Sequence, residues 1–140
     1  MIRKAAAKDV EELWKLINSS EELRPRADFS LSKDFIKAYI MHPVNFIFVY
    51  MDKGHIIGTI IGEAWKDRSF GYIANLVVHP EHRGRGVGTA LYRHAEAHCR
   101  KLGLTSMNFF TEVGNRRMQR FAERMGYKRG KRFYYYDKEI

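Results

Sequence analysis

Cysteine is nearly missing from this chain: Cys99 stands alone among 140 residues, so no disulfide can close within it. A single thiol of this kind is the pattern of a reducing compartment. Prolines number three, and no run of about 18 apolar residues exists to cross a bilayer as a helix. The first residues place Lys4, Lys8 and Asp9 among alanines and lack the apolar stretch of a secretory signal. These gaps together predict a cytoplasmic protein with no membrane partner. Internal repeats, low-complexity tracts and linkers are also missing. What the chain does have is 45% hydrophobic residues, enough to bury the core of one domain spanning residues 1–140.

Acidic residues are the other shortage, 16 against 25 lysines and arginines, for a net charge of +9. The excess is concentrated. Residues 116–132 hold Arg116, Arg117, Arg120, Arg124, Lys128, Arg129, Lys131 and Arg132 against Glu123 alone. Such a segment attracts an anionic cofactor, an acidic partner or nucleic acid, or it is a solvated helix face. No base-reading motif accompanies it, so nucleic acid is not the favoured partner.

Hydrophobic spacing sets the elements. Residues 2–5 suit a short strand, and Val10, Leu13, Trp14 and Ile17 recur at helical intervals after it. A polar connection with Pro25 leads to a second helix from about Ser32, carrying Phe35, Ile36, Tyr39 and Ile40 and ended by Pro43. Residues 45–51 and 55–64 are β-branched and aromatic runs joined by Asp52-Lys53-Gly54, a hairpin. After a polar turn, Lys66-Asp67-Arg68-Ser69, residues 70–78 form a third strand of the meander. A helix from Gly86 follows, with Val87, Leu91, Ala95, His98 and Leu102 on one side and Gly103 as its C-terminal cap. Residues 104–111 form a strand, 115–125 a helix and 133–138 a last strand. The order β-α-α-β-β-β-α-β-α-β predicts an α/β fold with a mixed, mostly antiparallel sheet and helices on both faces.

Between the third meander strand and its following helix stands Arg83-Gly84-Arg85-Gly86-Val87-Gly88. Glycines let backbone N–H groups approach an anion, and the helix start adds partial positive charge. The Walker phosphate loop is excluded, because no Lys-Ser/Thr pair stands at the required place. The dinucleotide fingerprint Gly-x-Gly-x-x-Gly fails too, its third glycine coming one residue early. What remains is Arg-x-x-Gly-x-Gly.

In this setting the chain resembles the GNAT superfamily of acyl-CoA-dependent N-acetyltransferases over nearly its whole length. Ile56-Ile57-Gly58 is similar to that family's second hairpin arm, residues 72–80 to its central strand, and residues 83–88 to its Arg/Gln-x-x-Gly-x-Gly/Ala pyrophosphate loop. Asn115, with Gly126-Tyr127 eleven residues on, is similar to the family's asparagine helix. The resemblance implies an enzyme that moves acetyl from acetyl-CoA to a primary amine by direct transfer, with no metal. It implies that Arg83, Gly84, Arg85, Gly86, Val87, Gly88 and Thr89 hold the CoA pyrophosphate. Leu76, Val77 and Val78 would bond the pantetheine arm, and Asn115 would line the gap where the fourth and fifth strands splay. A backbone N–H near Val78 would polarise the thioester carbonyl, and holding both reactants together supplies proximity.

Two positions depart from the family. The tyrosine that often protonates the leaving thiolate, seven residues after the asparagine, is Ala122 here, leaving Tyr127 or Tyr134, Tyr135 and Tyr136 as substitutes. With an ordinary thiol pKa of about 8.5, the thiolate leaves tolerably without an acid. On the central strand, where a base often stands, the chain has Tyr72 and Ala74, neither a good base; Tyr72 either positions a water for catalysis or packs half-buried, and Asn75 should alternate to the opposite face. Glu63 is the preferred base. If Asp67-Arg68 centre the turn, Glu63 pairs with Tyr72 and shares its face, and a slip of one residue reverses this. Glu112 and His79 are weaker candidates. Cys99, mid-helix, is a poor nucleophile, and His94 and His98 lack the remaining ligands of a zinc motif. The resemblance implies that the acceptor enters over the region linking the first two helices, where Glu21, Glu22 and Asp28 either attract a cationic amine or are solvated surface charge.

Ala74 and Ala122 also motivate a second reading, a CoA-binding sensor with little catalysis, and the basic segment a third, a nucleic-acid-associated protein. The acceptor and the oligomeric state, a homodimer included, stay open at this level.

Overall fold

The computed structural model describes residues 1–19 and 31–140, which fall into two compact units, Met1–Phe109 and Phe110–Ile140. The first holds β1 (Ile2–Lys4), α1 (Val10–Asn18), α2 (Lys33–Met41), β2 (Asn45–Asp52), β3 (His55–Trp65), β4 (Phe70–Val78), α3 (Val87–Lys101) and β5 (Ser106–Asn108). Its five strands lie in chain order, β1-β2-β3-β4-β5. The first three pairings are antiparallel and β4 pairs with β5 in parallel, which requires the crossover that α3 supplies.

Turn chemistry explains the registers. Lys53 and Gly54 both have positive φ, 49° and 81°, the two-residue turn that matches strand twist between β2 and β3. Between β3 and β4 the chain makes a short 3-10 turn, Lys66–Arg68, and Ser69 takes a left-handed conformation at φ 56°. That closure sets Trp65 opposite Phe70 and Glu63 opposite Tyr72.

One irregularity follows. Ile61 pairs with Asn75 and Gly62 with Ile73, so Ala74 is an extra residue in β4, a β-bulge. Cross-strand partners share a face, so the bulge resets the alternation. Asn75 and Val77 pair with Ile61 and Thr59, on the same face as Glu63 and Tyr72. The expected placement of Asn75 on the opposite face is therefore wrong: strict alternation fails where one strand carries a residue more than its partner.

Helices cover both faces. Val10, Leu13, Leu16 and Ile17 of α1 and Ile36 of α2 pack with Ile47, Val49, Ile61 and Val77 on the Glu63 side. On the other side α3 lies close to β3, since a Cβ at Gly58 would stand 3.0 Å from both Leu91 and Val87. His94 and His98 set their ring edges against Phe46 and Phe48. Burial, with Lys4, His94 and Lys101 nearby, holds His98 below the usual imidazole value.

The entry into α1 is pinned by charge. Arg3 grips Asp9 through two hydrogen bonds of 2.7 and 2.9 Å, and the Ala6 N–H donates to the same carboxylate at 2.7 Å. The Arg3 bonds, helped by the Ala6 amide, hold the Asp9 carboxyl below its ordinary range against the opposing effect of burial. A depressed carboxyl stabilises the fold above its unfolded pKa of about 3.9 and loses that contribution as pH falls through the folded value. Asp9→Asn is accordingly expected to cost about 2 kcal/mol in urea unfolding at pH 7. The gap from the parent should narrow as pH drops below about 4; an equal gap at pH 7 and pH 3 would refute this.

In the second unit, α4 (Arg116–Arg124) begins at Asn115, whose Oδ1 accepts from the Met118 N–H at 3.1 Å. The helix ends at Gly126 with φ 90°. The strand expected over residues 133–138 is not formed. Phe133, Tyr134, Tyr135 and Tyr136 are exposed; β propensity favours an extended chain there, but a strand exists only where a partner ladder takes up its amides. Likewise β5 is three residues, shorter than the expected 104–111.

Candidate active site

The glycine loop joins β4 to α3. Arg83 turns back, its Nε donating to the Val78 carbonyl at 3.0 Å, which ties the loop to the strand end. Gly84 and Gly86 take φ of 74° and 81°, values that side-chain-bearing residues adopt only with strain. A Cβ on either would meet no atom within 4 Å, so the loop faces open space. Gly86 is the residue preceding the helix, and the Ala90 N–H bonds back to its carbonyl at 2.9 Å. The amides of Val87, Gly88 and Thr89 therefore stand at the helix start ahead of the first intrahelical bond. Arg83 and Arg85 precede them in the loop. This donor set, two fixed cations and an open cradle, fits a pyrophosphate.

Val87 is buried and anchors the helix start, while Gly88 sits beside β4, where a Cβ would lie 3.6 Å from Val78 and 3.9 Å from Leu76. Leu76 and Val78 thus share the α3 face and Val77 is buried on the other. The ladder from β4 to β5 comprises Phe70↔Ser106, Gly71↔Met107 and Tyr72↔Asn108. It stops at Tyr72, so residues 73–78 run past the end of β5.

Glu63 stands at that same end. Tyr39 Oη donates to its Oε1 at 3.2 Å, and Trp65 Nε1 donates to its Oε2 at 2.8 Å. Burial and the Glu63 charge push the Tyr39 phenol far above its ordinary value, so it stays a donor. The same two causes raise Tyr72. The structure thus brings together Glu63 and Tyr72, with Asn75 further along their face. Tyr39 was expected only as part of an apolar helix stripe and Trp65 was not singled out. Neither role has a sequence signal, because one depends on how α2 docks and the other on a side-chain rotamer.

The other candidate residues have surroundings of their own. Cys99 is buried and its thiol is pushed up to about 11 by burial, which disfavours the thiolate. The His79 Nδ1 accepts from the Glu81 N–H at 3.3 Å in the turn before the loop. Asn115, Ala122, Glu112, Tyr127 and Tyr134–Tyr136 belong to the second unit, where the Asn115 side chain caps α4 and the Glu112 carbonyl accepts the Asn115 N–H at 3.0 Å. Glu21, Glu22 and Asp28 lie outside the described residues. Among the described residues no three His, Cys, Asp or Glu side chains gather as metal ligands, and no helix is long and apolar enough to cross a membrane.

Residues 8–127 match the Acetyltransferase (GNAT) family. The chain is 33% identical over 106 residues to N-alpha-acetyltransferase 30 of Schizosaccharomyces pombe, covering 73% of this chain and 71% of that protein. Aminoglycoside N-acetyltransferase AAC(6')-Iy in complex with CoA has a similar fold, with a TM-score of 0.82, 19% identity and 100% of each chain covered. A putative acetyltransferase from Agrobacterium tumefaciens is similar at a TM-score of 0.83 and 21% identity, with 99% of each chain covered. The glycine cradle, the mixed sheet and these matches agree, and the chain belongs to the GNAT family of acetyltransferases.

Proposed function

We propose that this enzyme transfers acetyl from acetyl-CoA directly to the α-amine of a polypeptide, with Glu63 as proton acceptor and the cradle at residues 83–89 as the pyrophosphate site. Acetyl-CoA supplies the activated acetyl thioester. Arg83 and Arg85 bring positive charge to the pyrophosphate, and the amides from Gly84 to Thr89 offer donors, so binding energy is spent far from the reacting bond. Beyond Tyr72, the edge of β4 at Leu76, Val77 and Val78 presents backbone groups to the pantetheine arm as a neighbouring strand would. An amide near Val78 is the donor for the developing oxyanion.

The observation that carries the reading is the position of Glu63. It sits opposite Tyr72, where the β4–β5 ladder stops, with both carboxylate oxygens already oriented. A nucleophilic amine must shed a proton, and a carboxylate at that opening accepts it directly or through one water. Buried Cys99 offers no competing covalent route. Support for a polypeptide α-amine comes from the 33% identical N-alpha-acetyltransferase relative.

Release of free CoA, measured across peptides with free and blocked N-termini, lysine side chains, polyamines and aminoglycosides, tests the acceptor. The expected result is turnover with free peptide N-termini that vanishes when the α-amine is blocked. Turnover confined to a small amine would overturn the acceptor class, and CoA binding without turnover on any amine would favour a sensor.

A further inference from the structure

Both oxygens of the Glu63 carboxylate are occupied by donors from different parts of the fold. Tyr39 reaches it from α2 and Trp65 from two residues along β3, each taking one oxygen. The Tyr39 hydroxyl also lies 3.3 Å from the Gly62 carbonyl. Its single proton favours the charged acceptor, which makes the stronger hydrogen bond. Phe35, one turn earlier on α2, packs its ring 5.7 Å from that of Tyr39 and braces it.

A carboxylate on a strand ordinarily rotates about its terminal torsion, which has broad minima. Two donors from fixed elements remove that freedom. Each ionised carboxyl oxygen keeps a second acceptor direction, so the pair orients the group without using up its capacity for a proton. The cost of a misplaced base is large, because an error of about 1 Å in a reacting group can cost roughly 100-fold in rate.

We propose that Tyr39 and Trp65 are positioning residues that fix the Glu63 carboxylate for proton acceptance from the acceptor amine. This rests on the assignment of Glu63 as the base. Neither side chain is required to touch a substrate. Tyr39 supplies its proton as a hydrogen bond without giving it up, and Trp65 can only donate. The two act in parallel, one per oxygen, so losing either leaves the carboxylate half held.

Coupling to Glu63 separates positioning from ordinary packing. Tyr39→Phe keeps the ring and removes the donor, and Trp65→Phe replaces the indole with a smaller aromatic ring that has no donor. Each should lower kcat roughly tenfold, an error smaller than a full 1 Å displacement would cause, and leave KM for acetyl-CoA unchanged. In a Glu63→Gln background neither should lower kcat further, since the proton acceptor they orient is gone. Wild-type kcat in both single variants would overturn the proposal, as would losses of the same size with and without Glu63. If Glu63→Gln itself keeps wild-type kcat, the base assignment fails first and the positioning role falls with it. Thermal unfolding of each variant guards against a folding defect, and because the two substitutions lie on different elements, one remains interpretable if the other unfolds.

Discussion

Gly86→Glu is expected to abolish useful CoA binding, weakening it by about 100-fold or more. Three effects point the same way. A residue with a Cβ at φ 81° is strained by about 1–2 kcal/mol. The new carboxylate would stand beside a pyrophosphate, a repulsion of up to about 4 kcal/mol at 4 Å near a protein surface. It would also cancel part of the favourable charge at the α3 start, worth about 0.3–1 kcal/mol. Together, at up to about 7 kcal/mol, they exceed the 2.8 kcal/mol or so that separates two decades of affinity. Gly86→Ala isolates the backbone effect and should weaken binding by only about tenfold. Calorimetric titration with CoA measures both; if the glutamate variant binds as tightly as the parent, the cradle is not the CoA site.

Glu63→Gln should lower kcat by about 100-fold, the lower bound expected when a positioned proton acceptor is removed. Glutamine has nearly the same shape and its amide oxygen can still accept from one of Tyr39 and Trp65, so the fold should be unaffected. KM for acetyl-CoA should hold, since Glu63 pairs with Tyr72, whereas Gly58, five residues away on β3, pairs with Val78 at the cradle end of β4. The loss ought to show most at low pH, where the amine arrives protonated and depends on the enzyme to accept its proton. An acceptor whose amine is already neutral at the assay pH should lose less. A kcat within a factor of three of wild type, on the same scale, would exclude Glu63 as the base.

How much of this was legible in the sequence depends on whether the determining interaction was local. The cradle was, because positive φ at Gly84 and Gly86 and the following helix start are properties of six adjacent residues. The pairing of Glu63 with Tyr72 was legible only as one of two registers: centring the turn on Asp67-Arg68 gives the one found, and a slip of one residue would have turned Glu63 to the other face. The bulge was not. Ala74 is neither glycine nor proline, and nothing in its neighbours marks it, so alternation was carried through a point where the ladder breaks it. Tyr39 could be read as helical but its hydrogen bond could not, because it depends on which way α2 lies across the sheet. The tyrosines at 134–136 show the converse error: three good strand formers in a row raised a local preference that no ladder in the second unit takes up.

The extra residue in β4 has a practical meaning for redesign. Anyone wishing to install a second acid beside Tyr72 would, by counting every other residue, write it at position 74. The pairing directs it instead to position 75, opposite Ile61 and on the face that carries Glu63. Alignments that place relatives' strand residues column by column carry the same trap, since a relative with no bulge shifts every later position by one. In this strand, homologous columns beyond Ile73 and equivalent directions in space are different things, and a grafted side chain must follow the second.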